Sequence, residues 1–248
     1  MKYLFYIIAF LLISSNARAE EMKNLSVIKD MQSQGATFSE SFIIDEHLEG
    51  LISNYQGRTY PIYRVKNTDH LIYGDLHTVE GINLTEAHIA LYPTAFGEKS
   101  LWNDLSEATF IENGAATGKV IYSFIDTNCP YCKAQWHEMQ PYLKQGLNVK
   151  YIPVGFLTKD SEKQAAYILG QNNPYQTLKA FEEGKRLPEN IDPDTLSANT
   201  IKDVRKNTQL MQDLGIRATP ASFYLGEDGM VYGDEGKLNN SLIERLIM

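Results

Sequence analysis

The sequence predicts an α+β protein in two parts, a small N-terminal α+β domain and a larger C-terminal α/β domain, joined by a linker that carries a helix. Three observations predict it. Residues 36–79 break into brief β-branched and aromatic runs between turn residues, the texture of a small antiparallel sheet. Residues 119–154 read strand, helix, strand, which makes a βαβ unit with a parallel pair. Three helical segments then precede a late strand, so a helical insertion at about 158–214 interrupts the second domain.

Residues 1–19 read as an export signal. Lys2 gives a positive start, Leu4 to Ile13 is almost wholly apolar, and Ala17-Arg18-Ala19 offers small residues before a cut. The apolar run breaks at Ser14-Ser15-Asn16, short of the roughly 20 residues a membrane span needs. Cleavage would remove Lys2 and Arg18 and take the formal net charge from −8 to −10. So acidic a chain is ill suited to nucleic acid or anionic lipid, whose phosphates call for basic surface.

The N-terminal domain is expected over residues 20–80. Asn24 to Gln34 has helical apolar spacing ended by Gly35. Phe42-Ile43-Ile44, Tyr60 to Val65 and Leu71-Ile72-Tyr73 read as strands, separated by Asn54 to Gly57 and Asn67-Thr68-Asp69. About 60 residues is marginal for an independent core, so pairing with a second copy is expected. Residues 81–113 read as the linker, broken at Pro93 and Gly97, with a helix over Glu98 to Thr109 carrying Leu101, Trp102 and Leu105.

The second domain is expected over residues 114–248. Val120 to Ile125 is an apolar strand, followed by Asp126-Thr127-Asn128 and then Cys129-Pro130-Tyr131-Cys132. A helix over Lys133 to Leu143 puts Trp136, Met139 and Leu143 on one face, and Pro141 suggests a kink or an early end. After a turn at Gly146, Leu147 to Val154 forms the second strand. Ser161 to Gly170, Pro174 to Phe181 and Thr195 to Leu214 are helical, and Ala218 to Leu225 returns to a strand. Glu227-Asp228-Gly229 turns it into Met230-Val231-Tyr232 as a hairpin, and Asn239 to Ile247 closes the chain as an amphipathic helix.

The chain has two cysteines, both within four residues. A bridge closing so short a loop constrains the unfolded chain little, so a structural staple is a poor explanation. A tetrahedral metal site needs two further ligands. His137 is the nearest histidine, and His47, His70, His77 and His88 show no ligand spacing, so no metal and no cofactor is expected. What remains is redox chemistry. At a helix start the first sulfur feels the positive end of the helix, so Cys129 is the expected thiolate and Cys132 the resolving thiol. Pro130 suits an early helical position.

Thr219-Pro220 stands before the late strand and is the candidate cis peptide, which would present backbone groups to an extended substrate. Asp126 would either relay protons to Cys132 or cap the helix. Pro130, Tyr131 and Thr219 flank the sulfurs on the expected substrate side. Trp136 reads as a packed aromatic and His137 as a surface histidine.

Phe124-Ile125-Asp126 before Cys129-Pro130-Tyr131-Cys132-Lys133, together with Leu214-Gly215-Ile216-Arg217-Ala218-Thr219-Pro220, resembles the DsbC/DsbG family of periplasmic disulfide isomerases, and the DsbG branch above all. Tyr55-Gln56-Gly57, Ile62-Tyr63 and Gly81-Ile82-Asn83-Leu84 extend the resemblance over nearly the whole mature chain. The resemblance implies a V-shaped homodimer joined through the N-terminal domains, a linker helix, and a thioredoxin-fold catalytic domain with a helical insertion. It also implies a periplasmic location and an inner-membrane reductant of the DsbD type. Cys129 then attacks, Cys132 resolves, Pro220 is the cis-proline, and Thr219 resembles the isomerase rather than the oxidase branch. Thr127-Asn128 departs from the Pro-Phe pair of the DsbG branch. The expected activity is isomerase or reductase on misfolded or oxidised exported proteins, including sulfenylated cysteines, with some chaperone holding. A disulfide-donating oxidase and a holdase with little redox role are the rival readings.

Overall fold

The computed structural model describes residues 22–55, 58–68, 70–92 and 95–247, so the expected export signal lies outside the described residues. Contacts divide the chain into two units, the first ending at residue 94 and the second starting at Ala95.

The first unit is a five-stranded antiparallel sheet with a helix against each face. Helix α1 (Ser26–Ser33) leads into β1 (Thr37–Phe38), β2 (Phe42–Ile43), β3 (Leu48–Tyr55), β4 (Arg58–Val65) and β5 (His70–Tyr73). The order is β1-β3-β4-β5, with β2 also on β3. Successive strand residues face opposite ways. Leu51 and Ile62 therefore pack with Ile28 of α1, whereas Ile52 and Tyr63 pack with Phe42 and Ile89 on the other side. Ile89 belongs to α2 (Leu84–Leu91), which begins where the Asn83 side chain accepts the Glu86 N–H at 3.3 Å. Tyr63 OH and Thr85 Oγ1 lie 2.6 Å apart, and Phe42 stacks on Tyr92 at 4.5 Å. Strand β3 and helix α2 are absent from the sequence expectation. Glu49, Gly50 and Asn54 interrupt the apolar run of β3, and Gly50 is there for space: a Cβ would stand 2.8 Å from the rings of Phe42 and Tyr63.

The second unit holds a six-stranded sheet in the order β6-β11-β10-β8-β9-β7. Its strands are β6 (Ala95–Gly97), β7 (Ile111–Gly114), β8 (Lys119–Ile125), β9 (Leu147–Pro153), β10 (Ala221–Leu225) and β11 (Val231–Glu235). Strands β8 and β9 run parallel, Phe124 opposite Ile152, as the βαβ reading requires, and every other pair is antiparallel. Helix α3 (Lys99–Glu107) precedes β7, α4 (Pro130–Leu143) joins β8 to β9, and α8 (Asn240–Ile247) ends the chain. The turn into β11 uses Gly229 at φ +80, a left-handed position that favours glycine.

Two expectations are corrected. Residues 81–113 do not stand apart as a linker: α2 packs on the first sheet, whereas β6, α3 and β7 belong to the second unit. Leu101 and Leu105 are buried in a core with Phe124, Ile152 and Phe223, and Ile111 pairs with Tyr151, so these residues gain burial by joining the sheet. Helix α4 also runs through Pro141 to Leu143. The missing N–H of Pro141 costs the helix one bond without ending it.

The helical insertion is α5 (Ser161–Leu169), α6 (Pro174–Glu182) and α7 (Ala198–Asp213), between β9 and β10. Ala165, Ala166 and Val204 close α5 against α7. Asn207, 1% exposed, ties α7 to the sheet: its Nδ2 donates to the carbonyls of Thr109 and Pro153 at 2.8 and 3.0 Å, and its Oδ1 accepts the Thr109 N–H at 3.1 Å. No helix among the described residues is long and apolar enough to cross a membrane.

Candidate active site

Strand β8 delivers the chain to Cys129, the N-cap of α4. Its sulfur accepts the Cys132 N–H at 3.4 Å, and Pro130 follows in the first turn, where no N–H is needed. The next strand of the sheet, β10, starts just after Pro220, and the Thr219-Pro220 peptide is cis. Because Ala221 pairs with Phe124, this places the Thr219 carbonyl beside the cysteine loop, where the Cys129 thiol donates to it at 3.0 Å. Thr219 Oγ1 is buried with no partner of its own. Both cysteines are free thiols and both are buried, while Tyr131 between them is 64% exposed.

The two sulfurs differ in proton affinity. The Cys132 thiol as hydrogen-bond donor is the largest influence on Cys129. It outweighs burial and, with the N–H groups of Cys132 and Tyr131, brings Cys129 from 9.0 down to about 6. Burial first, and then the hydrogen bond to Cys129, push Cys132 far above the usual thiol range. One sulfur is thus a thiolate at neutral pH and the other a thiol, the asymmetry that exchange through a mixed disulfide needs.

Asp126 is 1% exposed, and its carboxylate is fully engaged. Oδ1 accepts the Asn128 N–H at 2.9 Å and the Ser161 hydroxyl at 2.8 Å; Oδ2 accepts the N–H groups of Phe156 and Leu157, each at 3.1 Å. Four donors occupy the lone-pair sites that a carboxylate offers. Of the two expected roles, this geometry leaves no oxygen open for a proton relay. The carboxylate instead fastens the end of β8, the loop after β9 and the start of α5 into one knot. Gln164 extends the knot by accepting from Thr127 Oγ1 and Asn128 Nδ2 at 2.8 and 2.9 Å, so the two residues before Cys129 are held by the insertion.

Trp136 is a packed aromatic, 5.0 Å from the Tyr151 ring and 6.5 Å from that of Tyr175. His137 is exposed, with Nε2 3.1 Å from the Glu182 carbonyl. Two groups near the thiols escaped the sequence reading. Gln135, 1% exposed, donates to the hydroxyls of Ser123 and Ser222 at 3.1 and 3.0 Å and accepts the Leu238 N–H at 2.7 Å; the two hydroxyls lie 2.8 Å apart. Serines inside apolar strands and a helix glutamine carry no periodic signal. Glu182, 3% exposed, looks like surface charge within Phe181-Glu182-Glu183-Gly184-Lys185. Among the described residues no group of three or more His, Cys, Asp or Glu could hold a metal ion.

The sequence model of the thioredoxin-like domain family matches residues 106–243. A thiol:disulfide interchange protein DsbG of Pseudomonas aeruginosa is 29% identical over 220 residues, 88% of this chain and 85% of that protein. The DsbG of Escherichia coli is 29% identical over 225 residues, 90% of each chain. Among solved structures, a periplasmic thioredoxin-like protein from Salmonella enterica serovar Typhimurium is 22% identical with a TM-score of 0.49, covering 60% of this chain and 95% of that one. With its six-stranded sheet and its paired cysteines at a helix start, the chain belongs to the thioredoxin-like domain family and is similar over nearly its full length to two thiol:disulfide interchange proteins.

Proposed function

We propose that the protein is exported to the periplasm and acts there as a disulfide isomerase and reductase on other exported proteins. The observation that carries this is the unequal thiol pair, Cys129 brought down to about 6 beside a buried Cys132. The Cys129 thiolate attacks a substrate disulfide, forming a mixed disulfide and releasing one substrate thiolate. In isomerisation that thiolate, or another on the substrate, attacks a different sulfur and finally frees Cys129, with no net electron transfer. In reduction Cys132 gives up its proton, attacks the Cys129 sulfur and releases the substrate with two electrons gained. An inner-membrane donor of the DsbD type then restores the thiols. Sulfenylated single cysteines are reduced by the same pair.

Cys129, Cys132, Thr219 and Pro220 are the catalytic and substrate-facing set in this reading, with Pro130 and Tyr131 at its rim. Asp126 anchors the cysteine loop. The N-terminal unit serves as the dimerisation domain. This is supported by the edge position of β5, whose Ile72 and Tyr73 are 47% and 56% exposed. A clamp built from two copies would also hold unfolded chains.

The low proton affinity of Cys129 also favours a second reading, an oxidase that donates the Cys129–Cys132 disulfide, because a stabilised thiolate favours the reduced product. The test is refolding of a scrambled multi-disulfide substrate by the reduced protein, beside oxidation of the fully reduced substrate by the oxidised protein, with the mass measured in solution. Recovery of the scrambled substrate by a dimer is expected, lost in Cys129→Ser. Activity of a monomer on the reduced substrate alone establishes the oxidase, and full activity of Cys129→Ser overturns the redox reading.

A further inference from the structure

The exchange steps leave one ionisable group beside the thiols unused. Glu182 ends α6, and its Oε2 is buried with no hydrogen-bond partner. The 3.1 Å contact between its carbonyl and His137 Nε2 pins this end of the insertion to α4, the helix that carries both cysteines. Tyr175 of the same helix lies by Trp136 of α4. The ionisable groups on the packed elements include Lys133, His137 and Cys132 on α4, with Cys129 at its N-cap, Tyr151 on β9, Tyr167 on α5, and Glu112 on β7, which accepts from Asn148 Nδ2 at 2.7 Å. Lys133, Cys129 and Tyr151 interact electrostatically with Glu182. A desolvated carboxylate with an empty acceptor is a poor anion and tends to keep its proton.

We propose that Glu182 is a proton store that acts through Cys129, holding a proton while that sulfur is a thiolate and releasing it when the sulfur enters a disulfide. The inference rests on the reading of Cys129 and Cys132 as the redox pair and adds to it where the second proton comes from. In the reduced state the site holds a thiolate at Cys129, a thiol at Cys132 and a carboxylic acid at Glu182. When a substrate disulfide oxidises it, the Cys129–Cys132 bond forms, the substrate S–S bond breaks and two electrons pass to the substrate. The two substrate thiols need two protons; the Cys132 thiol supplies one and Glu182 the other, through solvent. The site ends as a disulfide and a carboxylate, so its single negative charge has moved from sulfur to oxygen. Burial, opposed by Lys133 and reinforced by repulsion from Cys129, raises Glu182 to about 7. Only the repulsion disappears on oxidation, so the carboxyl should titrate lower in the disulfide form.

The direct test uses the full wild-type chain with carbon-13-labelled glutamate carboxyls, titrated by NMR in the reduced and oxidised states. Glu182 should titrate at higher pH in the reduced state; equal midpoints overturn the proposal. A second measurement follows the equilibrium constant with glutathione across roughly pH 5 to 9 for wild type, Glu182→Gln and Glu182→Asp. Written as oxidation of the site by oxidised glutathione, the Glu182→Gln constant should fall with pH more steeply than the wild-type constant, by up to tenfold per pH unit for one linked proton. Glu182→Asp should restore the shallower wild-type slope, and the Cys129 alkylation midpoint should fall in Glu182→Gln. A Glu182→Gln variant that exchanges disulfides with the wild-type pH slope overturns the proton store and leaves the redox reading intact. Exchange that survives Cys129→Ser overturns the redox reading itself.

Discussion

Titration of Cys129 tests the site at its source. Lowering the thiol from 9.0 to about 6 makes the thiolate roughly a thousandfold more populated, relative to the thiol, than in an unperturbed cysteine, and at pH 7 about nine-tenths of the molecules carry it. That difference corresponds to about 4 kcal/mol of preference for the charged form. The assay is iodoacetamide alkylation of the reduced protein against pH, read alongside thiolate absorbance. The rate should be flat above a midpoint near 6 and fall tenfold per unit below it. Cys132→Ala should move the midpoint upward, because the Cys132 hydrogen bond is the largest cause of the depression. Stability carries the same information. A folded-state value below the unfolded one stabilises the reduced protein fully above pH 9, and that contribution is lost as pH falls through 6. The reduced form should therefore gain up to about 4 kcal/mol on the disulfide form between those limits. A wild-type alkylation midpoint near 9 would refute the argument.

Two further outcomes follow from the buried hydrogen bonds. Asp126→Ala strands three N–H groups and the Ser161 hydroxyl, and should cost about 3–5 kcal/mol, lowering Tm by roughly 10 °C in thermal unfolding. An unchanged Tm would show that the knot is dispensable. Gln135→Leu should cost about 2–3 kcal/mol because it strands the Leu238 N–H and both serines. Ser123→Ala with Ser222→Ala should cost less than the sum of the singles in denaturant unfolding, since each hydroxyl has already lost its partner in the other variant. Additive costs would mean the network is not a unit.

The parts of this molecule legible from sequence are those where one physical signal dominates. The apolar run of β8, the cysteines at a helix start and the helical spacing of α5 to α7 all lie in the structure close to where they were expected. Strand β3 was hidden because Glu49, Gly50 and Asn54 sit in the centre of a sheet for reasons set by partners. Arg64 pairs with Glu49 at 3.1 Å, and Gly50 makes room for two rings. Strands β6 and β7 are too short to show a period, and both take their identity from the strand beside them. Within the site, the cysteines and Thr219-Pro220 announce themselves by residue type. Asp126 was visible, but its role depends on donors 30 to 35 residues away. Glu182 has no local mark at all, because burial is a property of the assembled fold.

The contact between the Cys129 sulfur and the Thr219 carbonyl joins residues 90 apart in sequence. Closing so long a loop, around an insertion of three helices, makes this a contact of high sequence separation. Until the chain folds, the two cysteines have no preformed environment, and their thiolate fraction stays near that of any unfolded segment. Reactivity is therefore an outcome of completed folding. An immature copy is a slow partner in exchange and is spared from cross-linking to its neighbours, and the thiol becomes a potent nucleophile only once the structure that governs its use is in place.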